Sequence, residues 1–323
     1  MLKNPSPPTG NRRFRHVICM LTLHTNSLIQ IFRTIINQHL QERRNLKAPS
    51  ATRKFKFWRS KRALALPLTF MILFVSTLGL IAVTYYFSVE RVNAQSQNLK
   101  VSNAKQDMLA LEQTVLAVVW QPGSARTLAV HDCGGRLNVE PSNGSLQVSV
   151  SDGHDIAATV YSQTTGQVRY ELPYAESPDT GLYLRGDSRT VVNQSGALMS
   201  QLYVQSGDEY AELLLRYRPT VSCVATGSED GKSVNVLRVY VVNLNSSDVF
   251  ALYGQIPLKI SCQSTQISAA SFDVAYSLDR LTVTSVMDGV SGSVVVPVSS
   301  TAEGAVVNVE VVECNISIER CVM

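Results

Sequence analysis

The sequence predicts an α+β membrane-anchored protein with one long N-terminal helix, first transmembrane and then amphipathic. An all-β antiparallel sandwich-like region, in one or two subdomains, is expected to follow that helix. Three observations predict this fold class: an uncharged apolar stretch, a following segment with helical apolar spacing, and a period of two from residue 124 onward. The expected segments are a basic leader at 1–62, a span at 63–89, an amphipathic helix at 90–121, and β regions at 122–222 and 223–323.

The leader is strongly basic and is expected to be cytoplasmic. Residues 1–62 hold fourteen Lys and Arg against one acid, Glu42, although the whole chain carries a net charge of only +4. The outer region is therefore net negative and has no basic stripe, which predicts no nucleic-acid partner. Residues 17–40 have two interpretations: an amphipathic surface helix attracted to anionic lipid, or a segment upstream of the true translation start. On either interpretation the leader is absent from the outer domain, because it is retained inside, cleaved or never made.

The apolar stretch Ala63–Val89 predicts a single transmembrane helix. Its 27 residues carry no charge, and about 20 apolar residues are enough to cross a lipid bilayer. Six Lys and Arg lie within residues 53–62, whereas Glu90 and Arg91 balance on the other flank. Positive charge stays in the cytoplasm, so we expect a single-pass plasma-membrane protein with its C-terminal region extracellular.

An amphipathic helix is predicted to continue from the span. Residues 90–119 contain no Gly and no Pro, and Trp120–Gly123 ends the segment. Apolar residues recur three and four positions apart, which is the spacing of one helix face. They are Val101, Ala104, Met108, Leu111, Val115 and Val118. This stripe either packs on the β region, which we favour, or contacts other subunits.

Short strands separated by turn clusters are predicted for the rest of the chain. Clean alternation occurs in Arg136–Glu140, Ser145–Ser151 and Val168–Leu172. Turn clusters follow such runs, at 141–144, 151–153, 206–208, 229–231 and 288–289. A second set of strands is expected at 233–244, 257–262, 281–286, 293–298 and 305–312. The junction between the two subdomains is expected near residues 219–231.

The residues at the start of the span resemble a processing site. The chain has the sequence Lys61-Arg62-Ala63-Leu64, then an apolar helix, an amphipathic helix and a β-rich region. This order resembles archaeal type IV pilin-like proteins with a class III signal peptide. The resemblance covers about residues 59–122. It implies a processing peptidase that cuts after Ala63 and leaves Leu64 as the new N-terminus. Leu68 stands where bacterial pilins carry Glu, an acid that many archaeal members lack.

The resemblance also implies a function: a non-enzymatic surface protein, a structural or adhesion subunit that self-assembles or binds pilin-like partner subunits. A permanently anchored ligand-binding or sensor ectodomain that does not assemble is the alternative. An anchored hydrolase is a third hypothesis, which requires an acidic or Ser/Lys site built from separate strands.

No catalytic motif supports an enzyme. HExxH, GxSxG, a Gly-rich phosphate loop and EF-hand spacing are all absent from the sequence. His131-Asp132-Cys133 is the one suggestive triplet, since residues two apart on a strand share a face. We interpret it as a structural cysteine beside a surface histidine. The sequence thus predicts no enzyme, no cofactor and no metal.

Five of the six cysteines follow the span and would lie in an oxidising space. Two disulfides are candidates: Cys314 with Cys321, which would close a small loop, and Cys223 with Cys262. Five is an odd number, so at least one thiol stays unpaired or bonds another chain.

Four N-x-Ser sequons also lie in the outer region. They are candidate glycosylation sites at Asn143, Asn193, Asn245 and Asn315. Chance alone would supply about three in a chain so rich in Asn and Ser. The sequons therefore agree with glycosylation of a surface protein and do not require it.

Overall fold

The computed structural model describes residues 65–172, 181–194, 198–206 and 210–321. The chain divides into two compact units, Met1–Thr77 and Leu78–Met323, and the described strands all lie in the second. The described elements are α1 Ala65–Val118, β1 Ala125–Val130, β2 Arg136–Ser151, β3 Ala157–Glu171, β4 Tyr183–Arg185, β5 Val192–Asn193, β6 Ser200–Ser206, β7 Ala211–Tyr217, β8 Thr220–Glu229, β9 Lys232–Asn243, β10 Phe250–Tyr253, β11 Ile256–Val274, β12 Arg280–Met287, β13 Val290–Pro297 and β14 Ala305–Arg320.

One long helix followed by β-sheets is confirmed. α1 ends at Val118, next to the predicted end at 119. The chain leaves the helix through Trp120 and Gly123, whose φ angles of 66° and 81° are left-handed. A left-handed residue after the last turn breaks the helical hydrogen-bond pattern, and Pro122 has no amide to continue it. The helix therefore ends where the sequence predicts.

The strands form two sheets. Sheet A is six-stranded, in the order β1-β11-β14-β9-β8-β5, and sheet B is eight-stranded, in the order β13-β12-β2-β3-β7-β6-β4 with β10 beside β2. The described strand pairs of sheet B are antiparallel, but in sheet A β14 runs parallel to β9 and β5 runs parallel to β8. The expectation of wholly antiparallel sheets is thus wrong for sheet A. Alternation of apolar and polar residues shows which face of the sheet a side chain occupies, and it is the same in parallel and antiparallel strands. The sequence pattern therefore could not reveal the strand direction.

One predicted turn is a bulge. The cluster 141–144 lies within β2, where the pairing with β3 shifts register between Glu140 and Gly144. The extra residues are accommodated without a reversal of the chain. True tight turns occur at Asp230-Gly231 and Asp288-Gly289, where all four φ angles are positive. That geometry is typical of the two-residue hairpin that these dipeptides favour.

The expected boundary at 222/223 falls inside β8. Each sheet takes strands from both sides of it: sheet A joins β1 to β11, and sheet B joins β2 to β12. Neither sheet therefore corresponds to one of the expected subdomains.

Two apolar clusters form the interior of residues 78–323. The first, called the helix core, joins the stripe of α1 to residues of both sheets, including Leu213 of β7 and Ile316 of β14. The second, called the sheet core, joins the two sheets directly, with Val148 of β2 and Val309 of β14 among its members. Side chains of both sheets meet in each cluster, which gives the sandwich-like layering.

Candidate functional site: the apolar helix and its junction with the sheets

The first part of α1 is exposed along its length. Residues 68–99 are all exposed, and 68–89 carry no charge. Large apolar side chains lie all round this part of the helix, among them Phe70, Phe74 and Ile81, which are 54% or more exposed. Within the described residues α1 is the helix that is long and apolar enough to cross a membrane. The exposure of so much apolar surface marks the segment as an interaction site.

Hydroxyl groups in this segment bond to the helix itself. Thr84 Oγ1 donates to the Leu80 carbonyl at 2.7 Å, and Ser88 Oγ donates to the Thr84 carbonyl at the same distance. Ser76 Oγ likewise donates to the Leu73 carbonyl at 2.9 Å. A donor satisfied within its own helix needs no water, so these residues are compatible with a surrounding of lipid or apolar side chains.

The second part of α1 belongs to the β region. The stripe residues Ala104, Met108, Leu111, Val115 and Val118 are each at most 1% exposed and lie in the helix core. The prediction that the stripe packs on the β region is confirmed. One continuous helix therefore has an exposed part, 68–99, and a part buried in the β region.

Two acids on the buried side of α1 attach it to the sheets. The Ser200 hydroxyl donates to Glu112 Oε1 at 2.7 Å, and Glu112 is 2% exposed. Nearer the N-terminus of the helix, the His131 backbone N–H donates to Asp107 Oδ2 at 2.8 Å, and His131 Nδ1 lies 2.8 Å from Asp107 Oδ1. These bonds fix the rotation and height of the helix relative to the strands more specifically than apolar contact does.

Two side chains of the triplet His131-Asp132-Cys133 meet at Asp107 of the helix. Cys133 Sγ lies 3.9 Å from Asp107 Oδ2, so thiol and imidazole both face the same carboxylate. Burial, and then the charge of Asp107, raises the pKa of the Cys133 thiol. A thiol held protonated is a poor nucleophile. The triplet is part of the helix junction.

The end of α1 is joined to β11. The Gly123 N–H donates to the Cys262 carbonyl at 2.9 Å, and the Cys262 N–H donates to the Ser124 carbonyl at 3.0 Å. Beside them the Trp120 ring lies edge-on against Tyr240 of β9, with centroids 5.5 Å apart. The chain leaving the helix is thus held by backbone bonds to one strand and by an aromatic contact to another.

The strand order contradicts both predicted disulfides. Cys223 on β8 and Cys262 on β11 are separated by the intervening strands β9 and β14, a distance of roughly 14 Å at the usual strand spacing. Cys314 lies on β14 and Cys321 follows its end, seven residues along an extended chain. Bonded cysteines have Cα atoms less than about 7 Å apart, so neither pair can form. The structure instead brings Cys262 Sγ to 3.3 Å from Cys314 Sγ.

The four sequons differ in accessibility. Asn143 is exposed at the β2 bulge, whereas Asn193 and Asn245 are half-buried. Asn315 lies in β14 between β11 and β9, and its Nδ2 donates to Ser264 Oγ at 3.2 Å. Asn143 is therefore the best placed acceptor and Asn315 the worst. The predicted processing residues, Lys61, Arg62, Ala63 and Leu64, lie outside the described residues.

Sequence reasoning missed a buried polar cluster between the sheets. The Tyr161 hydroxyl of β3 donates to Glu313 Oε1 of β14 at 3.0 Å, and Asn243 Nδ2 of β9 donates to the same oxygen at 3.2 Å. Burial, and then the charge of Glu313, raises the pKa of Tyr161, so its hydroxyl remains a donor. The sequence signal that could have indicated this cluster is Glu313, an acid within the apolar run of β14.

A second buried cluster holds the chain on both sides of β5. Arg218 is 1% exposed, and its guanidinium donates to the Leu198 carbonyl and to Asp187. Hydrogen bonds from Arg189 and Arg218 hold the pKa of Asp187 well below its usual range. The arginine's partners are the backbone carbonyls of Asp187, Arg189 and Leu198 and the Asp187 carboxylate, so this cluster is structural.

The described residues contain no group of three or more His, Cys, Asp and Glu side chains that could hold a metal ion. Comparison with protein-family models, with curated proteins and with solved structures gives no match for this chain. The exposed apolar part of α1, with its junction to the sheets, is thus the feature on which a function can be argued.

Proposed function

We propose that this chain is a non-enzymatic, pilin-like surface subunit whose β region lies outside the cytoplasm. The division of α1 carries the proposal: residues 68–99 are exposed, whereas the stripe from Ala104 to Val118 is buried in the helix core. A helix with one exposed half and one half inside a domain can pass from a bilayer into a bundle of like helices without unfolding that domain. In this proposal the partners are lipid before assembly and copies of the same helix afterwards.

The orientation rests on charge. The fourteen basic residues of the leader remain in the cytoplasm, and the net negative β region is exported. The self-bonded hydroxyls of Ser76, Thr84 and Ser88 agree with a segment that contacts only apolar groups. Cleavage after Ala63 would remove the charges that hold the chain in the membrane and so permit assembly.

The test is the N-terminus of the mature protein. We expect sequencing of protein from the cell surface to begin at Leu64. An Ala63→Glu variant should keep the leader and its larger mass on a gel, whereas Ala63→Ser, which preserves a small residue, should be cleaved. If the Ala63→Glu variant had the same mass on the gel as the processed wild-type protein, cleavage after Ala63 would be wrong.

The alternative, a permanently anchored sensor or ligand-binding ectodomain, makes the opposite prediction. Peptides from residues 1–62 would then be recovered from the membrane fraction together with the β region, and shearing the cells would release none of the protein. That result would refute the assembled subunit while leaving the single span in place.

A further inference from the structure

Two buried thiols face each other across neighbouring strands of sheet A. Cys262 of β11 and Cys314 of β14 are at most 1% exposed, and their sulfur atoms lie 3.3 Å apart. This distance exceeds a disulfide bond by about 1.3 Å. The two residues lie on either side of a register shift between Cys262 and Ser264, where Cys314 pairs with Thr265 and Ile316 pairs with Cys262. A bulge is a place where small backbone adjustments are tolerated, so the gap can close locally.

Both thiols lie in the helix core. Cys262 Sγ is also 4.0 Å from the Ser264 carbonyl, and the Trp120 backbone and the Thr265 side chain lie beside Cys314. Burial raises the pKa of Cys314 to about 12. A raised pKa keeps Cys314 as a poorly reactive thiol, and burial shields both sulfur atoms from reagents in solution. We therefore expect a bond between these residues to form while the chain folds.

We propose that Cys262 and Cys314 form a structural disulfide when the β region folds in an oxidising space. The proposal rests on the outer location given under the proposed function. The oxidant is a thiol–disulfide exchange protein or a small disulfide. One cysteine thiolate attacks the oxidant's disulfide and displaces one thiolate of it, and the second cysteine then attacks the mixed disulfide. Two protons and two electrons leave the pair, and the oxidant becomes a dithiol.

The bond would reinforce the junction at the end of α1. Cys262 already holds Gly123 and Ser124 through its backbone, and β11 also pairs with β1, the first strand after the helix. β14 lies between β11 and β9 in sheet A. A disulfide would thus link β11, which is hydrogen-bonded to the end of the helix, to β14, an interior strand of sheet A. Mechanical force on the helix could then not separate these two strands.

Peptide mapping of the full-length protein tests the proposal. Membranes from cells are denatured without reductant, free thiols are alkylated, and the protein is digested with trypsin. Cleavage after Lys259, Arg280 and Arg320 gives one peptide for each cysteine, 260–280 and 281–320. We expect the two joined, two hydrogen atoms lighter than their sum, and separated by a reductant. Recovery of both peptides in alkylated form without reductant would overturn the proposal for the protein in cells.

Two further measurements separate the pairing from the location. The full-length protein is refolded in detergent with a glutathione redox buffer and mapped in the same way. A linked peptide in this sample, with none from cells, would overturn the outer location. If neither the protein from cells nor the refolded protein yielded the linked peptide, the pairing of Cys262 with Cys314 itself would be wrong.

Stability supplies a second readout. Reductant added during unfolding should lower the Tm of the oxidised protein by about 8 to 16 °C, because the bond closes a loop of some fifty residues. In the double variant Cys262→Ala/Cys314→Ala the same reductant should leave Tm unchanged. An equal response of both proteins would refute the bond. Cys223→Ala is the matched control and should retain the full response.

Discussion

Leu111→Ala should weaken the β region, although Leu111 belongs to the helix. The Leu111 side chain is 0% exposed and lies in the helix core with Leu213 and Ile316. Truncation of a buried leucine removes its transfer free energy and leaves a cavity, which costs about 2 to 5 kcal/mol. For a domain of this size each kcal/mol lowers Tm by about 2 to 4 °C. We therefore expect a decrease of roughly 4 to 20 °C.

Thermal unfolding of a soluble fragment beginning at Glu90 measures this effect. Leu99→Ala is the matched control, since it is the same substitution in the same helix at a side chain 57% exposed. It should change the free energy of unfolding by no more than about 0.5 kcal/mol. A second fragment, beginning at Pro122, lacks the stripe altogether and should be far less stable than the first.

The reasoning fails if Leu111→Ala and Leu99→Ala unfold at the same temperature. It also fails if the fragments beginning at Glu90 and Pro122 are equally stable. Either result would mean that the stripe serves contacts with other subunits, and that the helix core does not hold the strands together.

Three other perturbations test the remaining parts of the structure. Folding lowers the pKa of Asp187, so the ionised carboxylate stabilises the folded protein fully at pH values above its ordinary pKa of 3.8, and this stabilisation is lost as the pH falls below that value. In a plot of Tm against pH, Asp187→Asn should therefore reduce the decrease of Tm on the acid side. Tyr161→Phe removes a donor from buried Glu313 and should cost about 1 to 3 kcal/mol in urea unfolding, whereas an unchanged midpoint would refute the hydrogen bond. In a host that glycosylates N-x-Ser, mass spectrometry should find a glycan on Asn143 before any on Asn315, and the reverse would contradict the placement of β14.

Local patterns were sufficient for the helix and located all or part of seven strands (β2, β3, β9 and β11 to β14), whereas β1, β4 to β8 and β10 were not predicted. The 3–4 spacing from Val101 to Val118 specified both the helix and its buried face, because residues on one face of a helix share one environment. Alternation located strands such as β9 and β12 within a residue or two. The turn dipeptides Asp230-Gly231 and Asp288-Gly289 marked hairpins for the same local reason.

Long-range arrangement was not specified by these patterns. Side-chain alternation is the same whether β14 runs with or against β9, so the mixed sheet was missed. The cysteine pairs depended on strand order and were wrong for that reason. The sequence patterns did not single out Asp107 and Glu112, because their partners, His131 and Ser200, lie 24 and 88 residues away.

The position of β14 affects the order in which the molecule can be built. Residues 305–320 are the last described strand to leave the ribosome, yet β14 lies between β11 and β9. Until they emerge, β9 and β11 each present an unpaired edge, which is a template for aggregation. Sheet A therefore closes only after almost all of the described chain has been synthesised, and a chain cut before residue 305 retains two open edges.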